Sequence, residues 1–216
     1  MRSMAKTSTI RNALTASLDR QKKSIWFRHM NNPLETSLFD EAVRFAVEAH
    51  RGTERRGKGF PYIIHPMEAA AIVATMTNDQ ELLAAAILHD TVEDTDVTIK
   101  QIRERFGDRV AMLVQNETAP SDENLTWREK KTAQLKQLAD APHDSKVVAL
   151  GDKFSNMSGI ALDYRQIGDE VWKRFHAPNG KPDVEWYYRS LAEALSELSD
   201  TQAYKEYLKL LEEVFG

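Results

Sequence analysis

The chain contains no cysteine, which excludes disulfide bonds, thiolate metal sites, iron–sulfur clusters and cysteine nucleophiles. Any metal ion must therefore be held by histidine, aspartate or glutamate. The sequence also has no apolar run approaching the roughly 18 to 20 residues of a membrane span, and its N-terminus is polar and charged rather than built like a signal peptide. We therefore expect a cytoplasmic protein without a membrane partner.

Neither sign of charge is in large excess. Lysine and arginine number 29 against 33 aspartate and glutamate residues, which gives a formal net charge of -4. The sequence thus lacks the broad basic surface that neutralises a phosphate backbone, and nucleic acid is not an expected partner. The proportions of 42% hydrophobic and 29% charged residues among 216 are those of one ordinary globular domain, and no internal repeat is present.

Residues 1–36 form an N-terminal extension that mixes serine, threonine, arginine and lysine with scattered apolar positions. Ile10, Leu14 and Leu18 recur every four residues, which predicts a short amphipathic helix. This extension could be a partner-binding or dimerising arm, which would make the protein a homo-oligomer. Alternatively, it packs on the main domain or is partly disordered, and this interpretation is favoured because chain termini are often poorly ordered.

From residue 37 to residue 216 the apolar positions follow a helical period almost throughout. No segment alternates with a period of two, so no strand is predicted. The predicted helices cover residues 38–49, 66–75, 81–90, 98–106, 108–117, 127–138, 145–158, 160–175, 184–198 and 201–215. The sequence therefore predicts an all-α fold, a single bundle of about nine or ten helices in one domain.

Two adjacent ionisable residues, His89 and Asp90, close the most apolar helix of the chain. An unpaired charge at such a position is costly, so a compensating ligand or partner is needed. A metal ion is the natural candidate, because imidazole nitrogen and carboxylate oxygen together suit Mn²⁺, Fe²⁺ or Zn²⁺, whereas Mg²⁺ and Ca²⁺ prefer oxygen alone. By itself the pair is a weak signal, since a helix end often carries histidine to complement its dipole.

Two further positions strengthen the metal hypothesis. His65 immediately precedes Pro66, which fixes the first turn of a helix and presents the imidazole rigidly. Asp152 interrupts an apolar helical run, where a carboxylate is desolvated unless it is paired, and its neighbour Lys153 is not expected to face it. The alternatives are a capping His65, a helix-end His89 and an Asp152 paired to an arginine.

These residues belong to an ordered series of motifs. The series comprises Ala49-His50-Arg51-Gly52, Arg56, Pro61-Tyr62-Ile63-Ile64-His65-Pro66, residues 84–95 (AAAILHDTVEDT), Phe106-Gly107, Val110, Leu113-Val114, Asp152 and Asn156-Met157. Over residues 39–159 the chain thereby resembles the HD superfamily of metal-dependent phosphohydrolases. Within that superfamily it is similar to the hydrolase domain of the RelA/SpoT homologues, particularly the stand-alone small alarmone hydrolases.

The resemblance implies a nucleotide hydrolase that uses Mn²⁺. The residues that match the family's Mn²⁺ ligands are His65, His89, Asp90 and Asp152. Glu93 and Asp94 match the acidic pair that activates and orients the attacking water. Asn156 matches a nucleotide-contacting asparagine, and Arg56 matches the basic residue beside the purine base. The implied reaction is hydrolysis of the 3′-pyrophosphate of guanosine tetra- or pentaphosphate, which gives GDP or GTP and pyrophosphate.

The chain departs from the family pattern in the basic loop around Arg56. Gly57-Lys58-Gly59 stands where the family usually has lysine and serine, so Lys58 becomes a second candidate for the substrate contact. Phe60 replaces a common acidic residue, and Ser158-Gly159 stands where the family has a substrate-facing arginine. An arginine and a hydroxyl or carboxylate of the family pocket are thereby lost. The loop could also be a solvated charged turn. These changes touch the nucleotide pocket rather than the metal site, so an adenosine alarmone or NADPH is the alternative substrate.

The sequence favours neither a silent binding protein nor a catalytic His50. A catalytically silent nucleotide-binding protein is disfavoured, because binding alone needs neither the metal ligands nor the acidic pair. His50 lies in a family motif, but its place at the end of an amphipathic helix favours a structural hydrogen bond over catalysis.

Overall fold

The computed structural model describes residues 35–118 and 124–216. The amphipathic helix predicted in the N-terminal extension lies outside the described residues, as does most of the polar turn predicted at 119–124. Both stay predictions. Residues 37–216 belong to one structural unit, which carries every candidate site residue.

The described part of the chain is helical. Its α-helices are α1 (Ser37–Ala49), α2 (Ile64–Val73), α3 (Gln80–Leu88), α4 (Thr91–Asp94), α5 (Ile99–Phe106), α6 (Asp108–Glu117), α7 (Trp127–Ala139), α8 (His143–Ile167), α9 (Lys181–Ala194) and α10 (Gln202–Phe215). Two 3₁₀ helices cover Gly168–Arg174 and Ser196–Leu198, and the strand-like pairing within these residues is one isolated bridge between Glu54 and Pro61. The predicted all-α bundle is confirmed.

Local capping chemistry determines where several helices begin. Thr98 and Thr126 each form a capping box, in which the threonine side chain accepts a hydrogen bond from the backbone three residues further on. Asp79 accepts from the backbone amide of Glu81 and so caps α3. Gly107 separates α5 from α6 with a φ of 91°, a conformation that favours glycine. These caps set the register of the helices that surround the site.

The predicted break between two helices at Gly159 is wrong, because α8 runs without interruption from His143 to Ile167. A glycine inside a helix costs about 1 kcal/mol relative to alanine. That cost is offset by buried apolar side chains on both sides of it, including Met157 and Ile160. The helix instead ends at Gly168, whose φ of 57° leads into the first 3₁₀ helix.

Helix α3 lies at the centre of the core, as its all-round apolar sequence predicts, and residues 84–88 are completely buried. Despite this composition, neither α3 nor any other helix in the described ranges is long and apolar enough to cross a membrane. Helices α2 and α8 approach closely at Gly151, where a Cβ would lie 2.8 Å from the backbone oxygen of Ala69 and 2.6 Å from Val73 Cγ2. Glycine at this position therefore permits the contact that brings the two helices together.

Candidate metal centre and substrate cleft

Three separate segments bring four ionisable side chains to one point. His65 comes from the first turn of α2, His89 and Asp90 from the junction of α3 and α4, and Asp152 from α8. His65 Nε2 lies 3.1 Å from Asp152 Oδ1 and 3.4 Å from Asp90 Oδ2. His89 Nε2 lies 2.9 Å from Asp90 Oδ2 and 3.5 Å from Asp152 Oδ1. The structure thus brings the whole predicted set together.

The donor atoms fit a divalent metal ion. His65, His89 and Asp152 are buried and offer ligand atoms that all lie within 4.8 Å of one another. His89 Nε2 is buried, and although Asp90 Oδ2 lies 2.9 Å away, no described residue is placed at an angle that allows a hydrogen bond to it. A buried polar atom in that state is unusual unless another ligand satisfies it. With Asp90 beside both imidazoles, the cluster offers the mixed nitrogen and oxygen donors that transition-metal sites use.

The charges in the cluster depend on one another. Burial alone would raise the pKa of Asp152, but the Lys153 ammonium and the nearby His65 and His89 rings hold it well below its usual range. Burial would lower the pKa of His89, but Asp90 and Asp152 raise it well above its usual value. A metal ion at this cluster would therefore compete with a proton for His89.

Neighbouring groups hold the cluster in place. The Tyr62 hydroxyl donates to Asp90 Oδ2 at 2.5 Å, and His89 Nδ1 lies 2.8 Å from the backbone oxygen of Ala86. The ring of His50 packs on Tyr62 with a centroid distance of 4.8 Å. The structural hydrogen bond predicted for His50 is wrong, since both ring nitrogens are buried without a partner in the part of the chain described. Burial lowers the pKa of His50, so this histidine packs as a neutral ring.

Lys153 faces Asp152, contrary to the prediction for adjacent helix positions. Its Nζ bonds to the Asp152 carboxylate and lies 3.8 Å from Glu117 Oε2. The rule that adjacent residues point apart concerns their Cβ directions, whereas a lysine side chain is long enough to fold back along the helix surface. Asp152 is thus paired to a lysine, not to the arginine considered as the alternative.

The cluster opens into a cavity of about 250 Å³, called here the metal-side cavity. Glu93 and Asp94, the predicted acidic pair, line this cavity together with the four ligand residues. Three further wall residues escaped the sequence analysis, namely Glu117, Lys131 and Tyr187. The metal-side cavity therefore has both carboxylates near the cluster and cations that could meet phosphate groups.

Burial moves the pKa values of Glu117 and Lys131 toward neutral pH. It raises the pKa of Glu117 to about 7, even though Lys153 lowers it. Burial also lowers the pKa of Lys131 to about 8, and its ammonium nitrogen lies 4.6 Å from the centroid of the Tyr187 ring. Helical spacing could have identified Glu117, because it follows the buried Val114 by three residues on the apolar face of α6.

A second cavity of about 480 Å³, called the loop-side cavity, shares wall residues with the first. The shared residues are Arg55, Tyr62, His65 and Asn156. The cations around the loop-side cavity are Arg55, Arg56, Lys58 and Arg174, and its apolar wall includes Phe60, Ile64, Leu162, Val171 and Phe175. The predicted contact Asn156 therefore lies at the boundary between the cavities.

The two arginines of the basic loop have different surroundings. Arg55 Nη2 donates to Asn156 Oδ1 at 2.6 Å, and its guanidinium carbon lies 5.3 Å from the centroid of the Tyr62 ring. Arg56, the predicted substrate contact, has its Nη1 3.1 Å from His176 Nε2. It lines the loop-side cavity but not the metal-side cavity. Arg55, to which the sequence assigned no role, is thus the arginine that reaches the metal-side cavity.

Lys58 forms part of the wall of the loop-side cavity. Its Nζ lies 2.6 Å from Asp163 Oδ2 and donates to the backbone oxygen of Gly159 at 3.0 Å. Arg174 binds the same carboxylate oxygen, so Asp163 ties together two cations of the cavity wall. The loop that carries Lys58 is therefore fastened to α8, and it is not a free solvated turn at this point.

Comparison with known proteins identifies the family. A model of the HD domain matches residues 42–177. A zebrafish (Danio rerio) relative named guanosine-3′,5′-bis(diphosphate) 3′-pyrophosphohydrolase MESH1 is 38% identical over 132 residues, which are 60% of this chain and 72% of the relative. The mouse (Mus musculus) protein of that name is 36% identical over 186 residues, 84% of this chain and 97% of the relative. An Aquifex aeolicus 3′-pyrophosphohydrolase is 48% identical over 131 residues, but this chain spans only 18% of its length.

Solved structures show the same fold. The crystal structure of lmo0812 from Listeria monocytogenes has a TM-score of 0.62 and 29% identity, and the match covers 70% of this chain and 98% of that one. The structure of a metazoan ortholog of SpoT, described as hydrolysing ppGpp, has a TM-score of 0.66 over 83% of this chain and 96% of that one. At 22% identity the second likeness shows the fold alone. Because the HD-domain match spans most of the chain and the mouse relative is covered almost entirely, the chain belongs to the HD-domain family that includes the MESH1 pyrophosphohydrolases.

Proposed function

We propose that the chain hydrolyses the 3′-pyrophosphate of guanosine tetra- or pentaphosphate to GDP or GTP and pyrophosphate, with Mn²⁺ as cofactor. The observation that carries the proposal is the four-residue ligand cluster, which shares one cavity with the acidic pair Glu93 and Asp94. The relatives from zebrafish and mouse, which are named for this reaction, support it.

The residues that would hold the ion are His65, His89, Asp90 and Asp152. Their mixed nitrogen and oxygen donors favour Mn²⁺ over Mg²⁺. A bound divalent ion supplies two things, a lowered pKa for water and neutralisation of charge on phosphate oxygens. The protein's own part is to hold these donors in position and to limit access of water to them, and the burial of His65, His89 and Asp152 serves that purpose.

Glu93 and Asp94 take the role of proton acceptors for the attacking water. Water adds across the bond between the ribose 3′ oxygen and phosphorus: its oxygen bonds to phosphorus, and the ribose oxygen leaves with a proton. The products are GDP or GTP and pyrophosphate, so no covalent enzyme intermediate is needed. Lys131 and Lys153 provide positive charge in the same cavity, where the pyrophosphate group would lie.

The loop-side cavity takes the nucleoside. Asn156 and Arg55 stand at its boundary with the metal-side cavity, while Arg56 and Lys58 stand within its wall. A planar guanidinium can stack on a purine base, and the apolar side chains of the wall suit the faces of the base. The cavity volume of about 480 Å³ is in the range of small-molecule sites.

A second candidate substrate is an adenosine alarmone or NADPH. The observation that favours it is the bare wall at Gly159, where a Cβ would have Lys58 Nζ as its nearest neighbour, at 3.9 Å. Without a side chain at this position, α8 offers the base fewer groups that distinguish guanine from adenine.

A cytoplasmic location and a homo-oligomeric state also stay predictions.

The test is to incubate metal-stripped protein with ppGpp, with and without Mn²⁺, and to separate the products by anion exchange. Metal-dependent formation of GDP and pyrophosphate is the expected result. Adenosine alarmones and NADPH, run in parallel, decide between the two substrate classes. If none of these compounds is hydrolysed in the presence of Mn²⁺, the proposal is overturned.

A further inference from the structure

A short chain of hydrogen bonds, called here the relay, extends from the cluster of ligand residues to the protein surface. His65 Nδ1 lies 2.8 Å from Ser155 Oγ, and the Ser155 hydroxyl donates to Glu68 Oε2 at 2.6 Å. His65 and Ser155 are buried, with 4% and 2% of their surface exposed, whereas Glu68 is an exposed residue. The relay therefore connects the ring nitrogen of His65 that faces away from the cluster to a carboxylate at the surface.

The relay follows from the register of two helices. Glu68 stands one turn after His65 on α2, and Ser155 stands one turn after Asp152 on α8. Residues three apart lie on the same face of a helix. Because α2 and α8 pack directly against each other at Gly151, these two pairs face one another across the contact. The same packing thus brings His65 to Asp152 and Ser155 to Glu68.

The direction of each hydrogen bond can be assigned from the chemistry. An ionised carboxylate only accepts, so the Ser155 hydroxyl gives its one proton to Glu68. The oxygen of Ser155 then faces His65 Nδ1 as an acceptor, which requires the proton of the neutral imidazole to be on Nδ1. The lone pair of the neutral ring is then on Nε2, the nitrogen that faces the cluster and that would bind a metal ion.

We infer that Ser155 and Glu68 are positioning residues that fix the tautomer and ring orientation of His65 for metal binding. This inference rests on the metal centre of the proposed function. For His89 the corresponding partner is the backbone oxygen of Ala86, which is an acceptor at all times. His65 instead depends on two side chains, because a serine hydroxyl can donate or accept and only Glu68 compels it to accept. Partners of this kind change metal affinity by about 10–100-fold when removed.

Substitution of Glu68 separates this role from general stability. In Glu68→Ala the Ser155 hydroxyl is free to turn and donate to Nδ1, which selects the tautomer with its proton on Nε2. Glu68→Gln retains an amide oxygen that accepts the hydroxyl proton, so it preserves the relay without the charge. Because Glu68 is exposed, neither change disturbs the core. Ser155→Ala removes the link itself.

The experiment measures Mn²⁺ affinity by isothermal titration calorimetry, and unfolding of the metal-free proteins provides the stability control. Glu68→Ala and Ser155→Ala are expected to bind Mn²⁺ about 10–100-fold more weakly than the natural sequence. Glu68→Gln should retain most of the affinity. The matched control is Glu104→Ala, which removes an exposed glutamate on α5 whose partner is Lys100, and it should bind normally.

Two results would overturn the inference. Affinity in Glu68→Ala equal to that of the natural sequence would show that Glu68 has no influence on His65. Equal losses in Glu68→Gln and Glu68→Ala would show that the charge matters and the hydrogen-bond acceptor does not. Absence of Mn²⁺ binding by the unsubstituted protein is a different outcome, because it removes the metal centre, and the relay's role with it, before any variant is compared.

Discussion

The metal-side and loop-side cavities share a wall but are built from different kinds of structure. The ligand side chains around the metal-side cavity come from helices or from the junction of two helices, and they are joined by short contacts. The loop-side cavity takes three of its cations from the basic loop that follows α1. The glycines beside Lys58 in that loop, Gly57 and Gly59, have positive φ. Helical register fixes side chains in the first cavity, whereas loop conformation fixes them in the second.

This difference separates chemistry from selectivity. A helix holds its residues at set intervals, so the metal ligands and the acidic pair keep fixed positions relative to their helices. A loop can shift by one residue and exchange one arginine for its neighbour, as Arg55 and Arg56 illustrate. Substitutions should therefore affect catalysis on the metal side and substrate binding on the loop side.

The largest effect is expected from Asp152→Ala. Its carboxylate contacts both ligand histidines, so its loss removes a ligand and one of the two carboxylates beside the buried imidazoles. Mn²⁺ binding, measured by calorimetry, and phosphohydrolase activity should both fall below detection. His89→Ala should behave in the same way. Retention of tight Mn²⁺ binding in either variant would contradict the assignment of the cluster.

Glu93→Gln should distinguish the residues of the metal-side cavity that bind the metal ion from those that take part in the reaction. Glu93 lines the cavity but is not one of the four ligand residues, so Mn²⁺ affinity should stay close to that of the unsubstituted protein. Loss of a proton acceptor should lower kcat by about 10²–10⁴-fold. Steady-state kinetics together with calorimetry check this prediction, and loss of metal in Glu93→Gln would argue that Glu93 is a ligand.

Arg55→Ala and Arg56→Ala test the loop-side cavity. Arg55 bonds to Asn156 at the cavity boundary, so its removal should raise KM by about 10–100-fold, the equivalent of one hydrogen bond to a charged group. Arg56 is bonded to His176, and its removal should raise KM less. In both variants kcat should change little. A larger increase in KM for Arg56→Ala than for Arg55→Ala would instead support Arg56 as the main substrate contact, as the family resemblance implies.

The smallest effect concerns stability and comes from Glu117→Gln. Burial raises the pKa of Glu117 from 4.5 to about 7, so the folded protein holds this carboxyl more readily in its neutral form. Ionisation of the buried Glu117 carboxyl lowers the free energy of unfolding. This destabilisation is absent below pH 4.5, the pKa in the unfolded chain, grows as the pH rises to about 7 and is constant above that. Glu117→Gln should therefore stabilise the metal-free protein by about 1–3 kcal/mol at pH 8 and by less at pH 5.

Urea unfolding at the two pH values measures this effect. Glu104→Gln is the control, because it changes the net charge equally at an exposed site. A stabilisation by Glu117→Gln that is equal at both pH values would show that ionisation of the carboxyl is not its cause.

The sequence predicts the all-α fold from periodic spacing, and the ligand set from ionisable residues beside apolar helical runs together with the family resemblance. Asp152 is a polar interruption of an apolar helix, and the structure places it beside His65. The continuous α8 was missed because a single glycine signals a break locally, while the packing that overrides it is long-range. Lys131 and Tyr187 were missed for a similar reason, since α7 and α9 reach the cavity only through tertiary packing.

The contacts of the basic loop could not be predicted in detail. Arg55 and Arg56 are adjacent and chemically identical, so only the path of the backbone decides which one meets Asn156. The Lys58–Asp163 pair joins residues more than 100 positions apart, and the residue pattern contains no signal for it. Both depend on turn geometry at glycines with positive φ.

The close contact at Gly151 has a consequence for the choice of ion. Gly151 immediately precedes Asp152, so the distance between the axes of α2 and α8 at this level also determines how far the Asp152 carboxylate stands from His65. Any side chain at position 151 would widen that distance by pushing on Ala69 and Val73. The thickness of this helix–helix contact in the core therefore helps to set the spacing of His65 and Asp152, and with it the size of ion that would fit between them.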